Sequence, residues 1–227
     1  MSTTAEMTQT AQMTQTAETT ERTRGVSENR IDHLVIAAED LVRGRKWVEE
    51  MLGVPMQPGG EHQMWGTHNV LLGLGGGTYL EVLAINSAVP QPGPFYPLGL
   101  GVPEVQRQLR LSPQVLHWFA RVEGFQGEGV EEFSRGQNRW RARMPADGHL
   151  IEDGIVPSQI EWLTPPPATL LPDSGVRLTE LTLVTPEPDD LATRIADHLL
   201  DPRIQVREGD RRELQATFTT PRGEVTL

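Results

Sequence analysis

The chain has 227 residues, which is enough for one large domain or for two small modules with cores of their own. Its formal net charge of −11 and its pI of about 5.0 argue against nucleic acid or an anionic membrane surface as a partner. The absence of cysteine excludes disulfides and thiolate chemistry, and the short apolar runs and the lack of a secretory signal predict a cytoplasmic protein without a membrane-spanning helix.

The first globular segment follows a polar tail. Residues 1–28 are rich in Thr and Glu and contain a near-repeat of Met-Thr-Gln-Thr-Ala, so we predict a disordered tail. Residues 29–85 then show the order strand, helix and three strands, which we call unit one. Its predicted elements are a strand over 30–37, a helix over 40–52 that stops at Gly53, a short strand near 54–56, a turn at Gly59-Gly60, and strands over 67–74 and 78–85.

The same pattern appears twice more along the chain. Residues 86–113 are rich in Pro and Gly, which predicts a long irregular connection that acts as a lid or a cavity wall. Unit two, residues 114–164, is predicted to contain a strand over 115–122, a weaker helix over 125–134, and strands over 139–144 and 157–163. Unit three spans 176–227. Self-similarity at a period of about 50 residues predicts an α+β fold of tandem βαβββ units.

His33 lies in the middle of the apolar first strand. Because side chains alternate along a strand, we place Ile31, His33 and Val35 on one face, and Asp32 and Leu34 on the other. An imidazole among apolar neighbours needs a hydrogen-bond partner or a metal. Taken alone, His33 is most simply a hydrogen-bonded core histidine.

Three further titratable residues lie in predicted strands at matching positions of units one and two. Glu81 lies in the last strand of unit one, and His117 and Glu161 lie in the first and last strands of unit two. A carboxylate on a largely apolar face is costly unless it is paired or binds a cation. Two imidazoles and two carboxylates suit Zn²⁺, Ni²⁺, Mn²⁺ or Fe²⁺. The alternative is that each residue faces solvent on a half-exposed sheet.

Several other side chains are candidates for substrate binding. His68 and Asn69 begin a strand and point to opposite faces, so only one of them can reach a cavity. Trp140 is one of several tryptophans that could line a pocket, with core packing as the alternative. Arg139, Arg141 and Arg143 alternate onto one face, where contact with solvent is a better interpretation than recognition of a carboxylate; they are therefore not included in the predicted site.

These segments resemble the glyoxalase-like domain branch of the vicinal oxygen chelate superfamily. The resemblance rests on residues 31–36, 66–72 and 79–82 of unit one, and on residues 116–118 and 157–162 of unit two. It implies that the first two units form an open half-barrel around a cavity with one divalent metal, and that unit three is a C-terminal addition of the same type. The order His, Glu, His, Glu is similar to that of bacterial glyoxalase I enzymes, which implies four metal ligands: His33, Glu81, His117 and Glu161.

The resemblance implies a metal-dependent lyase or isomerase that acts on a small molecule with vicinal oxygens. The metal would polarise a carbonyl while a carboxylate moves the proton, with Glu161 as the first choice of base and Glu81 as the second. His68, Asn69 and Trp140 are the predicted substrate contacts. A homodimer is compatible with this interpretation.

Two alternatives stay open at this point. The first is a ferrous extradiol-type dioxygenase, in which His33, His117 and one glutamate form a facial triad. The second is a metal-free protein that uses the same cavity to bind or sequester a hydrophobic small molecule, which the tryptophans would favour.

Overall fold

The computed structural model describes residues 30–90, 93–125, 127–198 and 200–227, and the predicted N-terminal tail lies outside these ranges. The helices are α1 (Leu41–Leu52), α2 (Pro103–Leu111) and α3 (Pro188–Arg194). The strands are β1 (Arg30–Ala37), β2 (Gln57–His62), β3 (Thr67–Gly73), β4 (Tyr79–Ile85), β5 (Gln114–Arg121), β6 (Glu131–Arg135), β7 (Asn138–Arg143), β8 (Ser158–Trp162), β9 (Arg177–Thr185), β10 (Ile204–Glu208), β11 (Glu213–Thr220) and β12 (Gly223–Thr226). None of the helices in these ranges has the length and apolar character needed to cross a membrane.

The first eight strands form one curved sheet in the order β2-β3-β4-β1-β5-β8-β7-β6. At its centre, β1 pairs with β5 in an antiparallel manner, and on either side the last strand of each unit runs parallel to the first, β4 beside β1 and β8 beside β5. A hydrogen bond between Arg135 of β6 and His62 of β2 joins the two edges of this sheet. The repeated strand order confirms the prediction of tandem α+β units.

Unit three forms a second sheet in the order β10-β9-β11-β12. Its elements follow the predicted sequence of strand, helix and three strands, but its first strand lies inside the sheet, between β10 and β11. Leu181 and Phe218 of this sheet pack with Leu34 and Trp118 on the outer face of the large sheet. The outer core of the protein is therefore shared between unit three, α1 and the back of the eight-stranded sheet.

A second, inner core lies on the concave face of the large sheet. It contains Val35, Leu83, Phe119, Trp140 and Ile160, which come from strands of both units. Side chains along these strands alternate between the outer and inner cores, as the geometry of a sheet buried on both faces requires.

Three local predictions are corrected by the structure. The predicted helix over 125–134 is absent from its described residues, where β6 instead forms a hairpin with β7. The connection over 86–113 contains α2, which begins at Pro103, a residue well suited to the first turn of a helix. Gly59 and Gly60 lie within β2 rather than in a turn, because β2 is an edge strand whose pairing with β3 shifts register between Pro58 and Glu61.

Helix α1 shows how closely the outer core is packed. The Asp40 side chain caps its first turn by accepting a hydrogen bond from the Arg43 backbone N–H at 2.8 Å, and Gly53 ends it with a φ of 74°. Gly44 faces the sheet inside this helix. A Cβ atom at Gly44 would lie 2.5 Å from the Ala38 Cβ and 2.7 Å from the Val82 Cγ1. Only glycine therefore lets α1 approach the sheet this closely.

We expect Gly44→Ala to destabilise the protein, although alanine is the better helix former. The added methyl group must push α1 away from β1 and β4, and such overpacking costs about 1–3 kcal/mol in the free energy of unfolding. Urea denaturation measures this loss. Val42→Ala is the matched control, because Val42 is 80% exposed in the same helix and its replacement should be close to neutral. Equal stability of Gly44→Ala and the wild type would contradict the packing described for α1.

Candidate active site

A cavity lies on the concave face of the eight-stranded sheet. Its walls are mainly aromatic and apolar, and a few polar groups converge on it, as is typical of small-molecule sites. The aromatic lining comprises Trp65, Tyr79, Phe119, Trp140 and Trp162. The polar lining comprises His33, His62, Asn69, Glu81 and Arg135.

A bulge in β1 brings the side chains of two adjacent residues, Asp32 and His33, into contact. The pairing of β1 with β5 shifts register between Ile31 and His33. Asp32 therefore turns toward His33, with Oδ1 at 2.7 Å from His33 Nδ1, and its Oδ2 accepts a hydrogen bond from Nε1 of the cavity-lining Trp162. Ile31 packs in the outer core with Leu34. The predicted facing of Ile31 and Asp32 is thus corrected, because the bulge resets the alternation of side chains.

His33 is held on both ring faces and at both ends. Its imidazole stacks between Tyr79 and Phe119, with ring centroids 4.5 Å and 4.4 Å away. Nδ1 faces Asp32, and Nε2 lies 3.6 Å from Glu81 Oε2. His33 is 4% exposed and Glu81 is 7% exposed, so this pair of groups is nearly removed from bulk water.

Asp32 is a fully buried carboxylate with several partners. Burial opposes its ionisation, but the hydrogen bond and charge of His33 and the nearby Arg121 guanidinium outweigh this and lower the pKa of Asp32 below its usual value. The Arg121 guanidinium lies 2.6 Å from Asp32 Oδ2. Asp32 is therefore ionised at neutral pH, and it fixes the orientation of the His33 ring.

Asn69 orients the other carboxylate. Its Nδ2 donates to Glu81 Oε1 at 2.5 Å, and its Oδ1 accepts from the Gly60 backbone N–H at 2.7 Å. Arg135 Nη1 also approaches Asn69 Oδ1, at 3.4 Å. One oxygen of Glu81 is thus occupied by an amide, while the other faces His33.

His62 completes this chain of polar contacts. Arg135 Nη1 donates to His62 Nε2 at 2.6 Å, and His62 Nδ1 lies 3.0 Å from Thr67 Oγ1. Burial, opposed by the charge of Glu81 and reinforced by that of Arg135, lowers the pKa of His62 to about 4. His62 is therefore a neutral acceptor for the Arg135 guanidinium.

His117 does not reach the cavity that His33 lines. Its Nδ1 lies 3.1 Å from the Gly154 carbonyl, which can only accept, so Nδ1 carries the proton. Its Nε2 accepts from the backbone N–H of Ser158 at 3.1 Å and lies 2.9 Å from Ser158 Oγ. Burial lowers the pKa of His117 to about 4. Both nitrogens of this buried, neutral imidazole are occupied by protein groups.

Glu161 lies on the outer side of β8. Its strand neighbours Ile160 and Trp162 line the cavity, so alternation along β8 directs Glu161 away from it. Its Oε1 accepts a hydrogen bond from the Gly124 backbone N–H at 3.0 Å, and its Oε2 lies 3.5 Å from the Arg141 guanidinium. The structure thus does not bring His117 and Glu161 together with His33 and Glu81.

The strand register explains why the predicted set does not converge. Phe119 of β5 pairs with His33 of β1 at the centre of the sheet. His33 also pairs with Tyr79 of β4, and Phe119 pairs in the same way with Ser158 of β8, so Phe119 is the equivalent of His33 in unit two. Unit two therefore presents Phe119 and Ile160 where unit one presents His33 and Glu81. The predicted alignment was displaced by two residues along β5 and by one along β8, and a displacement of one residue reverses the face of a strand.

The predicted Zn, Ni, Mn or Fe centre does not fit these residues. His33 and Glu81 supply two donors, whereas catalytic zinc sites take three protein ligands. The Arg135 guanidinium adds a positive charge to the same cavity. No group of three or more His, Asp or Glu side chains within the described ranges is arranged to hold a metal ion.

The remaining predicted contacts divide between the two sides of the sheet. Asn69 and Trp140 line the cavity, whereas His68 is directed away from it. Sequence reasoning missed Asp32, His62 and Arg135. The bulge at Asp32 leaves no mark in the strand pattern, and Arg135 directly follows the incorrectly predicted helix over 125–134.

Two of the buried histidines, His62 and His117, predict how stability depends on pH. The pKa of His62 and that of His117 are each about 4 in the folded protein, against a usual value of 6.5. At a pH below 6.5, these histidines bind protons in the unfolded chain but not in the folded protein. The contribution of these histidines to the free energy of unfolding is therefore fully present above pH 6.5. It falls as the pH is lowered toward 4, by at most about 1.4 kcal/mol per pH unit for each histidine.

Urea denaturation across this pH range measures the slope. We expect His117→Gln to reduce the slope relative to the wild type, because it removes a buried histidine whose pKa is lowered in the folded protein. His149→Gln is the control, since the His149 side chain is 63% exposed and should leave the slope unchanged. An identical slope in His117→Gln and the wild type would contradict the neutral, buried state of His117.

The comparisons with known proteins agree with this architecture. The crystal structure of a hypothetical protein from Staphylococcus aureus is 12% identical, with a TM-score of 0.54 over 81% of this chain and 87% of that chain. The crystal structure of methylmalonyl-CoA epimerase from Mycobacterium tuberculosis is 16% identical, with a TM-score of 0.38 over 60% of this chain and 88% of that chain. At 12% identity, the likeness to the Staphylococcus aureus protein shows the fold alone. No curated protein sequence matches the chain.

The family comparison is more extensive. The model of the family described as glyoxalase-like domain matches residues 31–199, which includes both units of the eight-stranded sheet and most of the helix-containing part of unit three. The match covers well over half of the chain and confirms the resemblance seen in the sequence. The chain belongs to the glyoxalase-like domain family, within the vicinal oxygen chelate superfamily.

Proposed function

We propose that this protein is an enzyme that moves a proton on a small molecule with vicinal oxygens, in an isomerase or lyase reaction, and that Glu81 and His33 perform the transfer. The observation that supports this most directly is the 3.6 Å separation of His33 Nε2 and Glu81 Oε2 at the wall of a largely apolar cavity. An acid and a base that are this close and shielded from water are suited to proton transfer.

Glu81 is the proposed base. Its Oε1 is held by Asn69 Nδ2, which leaves Oε2 to accept a proton from a carbon next to a carbonyl. The electron pair of that C–H bond moves to the carbonyl oxygen and forms an enolate. Delivery of this proton to the former carbonyl carbon, together with transfer of the proton of the neighbouring hydroxyl group to the former carbonyl oxygen, completes an isomerisation, so that no oxidant or reductant is required.

His33 is the proposed hydrogen-bond donor to the developing negative charge. In its imidazolium form it donates Nδ1–H to Asp32 and presents Nε2–H to the cavity. The stacked rings of Tyr79 and Phe119 keep the imidazole in place without reorganisation during the reaction. Asp32 touches no ligand and acts as a positioning residue through His33.

We expect Glu81→Gln to abolish proton transfer with little loss of stability. A panel of small 2-hydroxyketones, 2-oxo acids and 2-hydroxy acids in D₂O allows enzyme-dependent exchange at the carbon next to the carbonyl or carboxylate to be followed by NMR, whatever the final product. The rate in Glu81→Gln should fall by about 10²- to 10⁴-fold, the usual contribution of a general base.

Glu161→Gln is the matched control for this experiment. It makes the same chemical change in the equivalent strand of unit two, but its side chain lies on the outer face of the sheet, so the exchange rate should stay at the wild-type level. Loss of exchange in Glu161→Gln but not in Glu81→Gln would reverse the assignment of the base. Absence of wild-type exchange across the whole panel would contradict the proposed reaction.

We expect the proposed reaction to need no metal ion. Phe119 and Ile160 occupy the positions of unit two from which a second pair of ligands would come, so we expect the purified protein to hold no stoichiometric Zn, Ni, Mn or Fe. Elemental analysis before and after dialysis against a chelator tests this. A stoichiometric metal that His33→Ala removes and His117→Ala retains would restore a metal centre built on unit one.

A metal-free binding protein is the second candidate, and the aromatic lining of the cavity favours it. Trp65, Trp140 and Phe133 contact one another around the cavity and offer flat surfaces for an apolar ligand. Tight binding of a ligand without exchange of its protons would favour this function. The extradiol dioxygenase alternative is not proposed, because its facial triad requires His117 in the same cavity as His33.

A further inference from the structure

Arg135 brings a positive charge to the cavity wall without a charged partner. Its Nη1 donates to the neutral acceptors His62 Nε2 and Asn69 Oδ1. No Asp or Glu of the described residues forms an ion pair with it, whereas Arg139 of the same hairpin pairs with Glu132. The half-buried guanidinium of Arg135 therefore retains donors, at Nε and Nη2, that no described side chain or backbone group occupies.

Asn69 separates this cation from the proposed base. Its Oδ1 faces Arg135, and its Nδ2 faces Glu81. The guanidinium and the carboxylate are thus held side by side along one wall of the cavity without neutralising each other directly. A charge in an apolar setting is costly unless a counter-ion is present, so this arrangement favours an anionic group on the ligand.

We propose that Arg135 binds the carboxylate of the substrate, and that the substrates are small 2-oxo or 2-hydroxy monocarboxylic acids with an apolar or aromatic body. This inference rests on the proposed function. A guanidinium recognises a carboxylate through two parallel hydrogen bonds. With the carboxylate at Arg135, the adjacent carbon and its oxygen lie toward Glu81 and His33, and the body of the molecule faces Trp65 and Trp140.

The charges around the cavity favour a monoanion over a phosphate. Arg121 is already paired with Asp32, and His62 is neutral. Among the residues that the structure describes, Arg135 is then the one guanidinium of the cavity lining, and Glu81 on the same wall repels a second negative charge. A carboxylate matches one guanidinium in charge and in geometry.

Isothermal titration calorimetry with mandelate and mandelamide tests this assignment. The two probes share a phenyl ring and a 2-hydroxy group, and they differ in the carboxylate. We expect the wild type to bind mandelate at least about tenfold more tightly than mandelamide, which corresponds to about 1.4 kcal/mol. Arg135→Gln should bind the two probes with similar affinity.

Arg139→Gln is the matched control, because it removes the same charge from an exposed position in the adjacent strand of the same hairpin. It should keep the wild-type preference. Arg135→Lys separates recognition from folding, since lysine keeps the charge without the two-pronged geometry and should retain part of the preference. Thermal unfolding of each variant shows whether loss of the Arg135–His62 contact between the sheet edges has opened the fold.

The outcomes separate the two proposals. Equal affinity of the wild type for both probes, no binding of either probe at millimolar concentration, or an unchanged preference in folded Arg135→Gln would overturn the carboxylate site. A mandelate preference that depends on Arg135, without any proton exchange that depends on Glu81, would support this inference and overturn the proposed reaction. Proton exchange that depends on Glu81, without a preference for mandelate that depends on Arg135, would support the proposed reaction and overturn this inference.

Discussion

The contact between Asp32 and His33 is the constraint on which the site depends. Adjacent residues of a strand normally point to opposite faces, and only the bulge in β1 lets these two side chains meet. The contact sets the direction of the imidazole, which in turn places Nε2 toward Glu81. A bulge at the centre of a sheet is tolerated here because the Arg121 guanidinium and the Trp162 indole satisfy the displaced carboxylate.

The outer layer of the protein supports this arrangement from behind. Unit three packs on the convex face of the eight-stranded sheet, where Asp201 accepts a hydrogen bond from the Ile31 backbone N–H at 3.1 Å, directly before the bulge. Arg203 pairs with Asp201 and reaches Thr78 at the start of β4. The addition of a third unit thus stabilises the two strands that carry His33 and Glu81.

The sequence was sufficient to predict the tandem α+β units, and it singled out two residues, His33 and Glu81, that the structure places at one cavity. His33 and Glu81 were identified because each lies in a strongly apolar strand whose pattern fixes its face. His117 and Glu161 were matched to them by spacing, but spacing alone does not fix register when the connections of the two units differ in length. The bulge at Asp32 and the pairing of Arg135 depend on contacts between distant strands, which local patterns do not encode.

The bond from Arg135 to His62 joins the two edges of the large sheet as well as lining the cavity. A ligand that binds Nε and Nη2 of this guanidinium leaves Nη1 on His62 and Asn69 and fixes the Arg135 side chain, so occupancy of the cavity and closure of the seam between β2 and β6 are thermodynamically linked. The seam is an edge-to-edge contact made by side chains rather than by a ladder of backbone hydrogen bonds, and such contacts break at lower free energy than the strands at the centre of a sheet. Ligand recognition and closure of this seam therefore depend on the same guanidinium, and amide hydrogen exchange in β6 would report whether the seam is open.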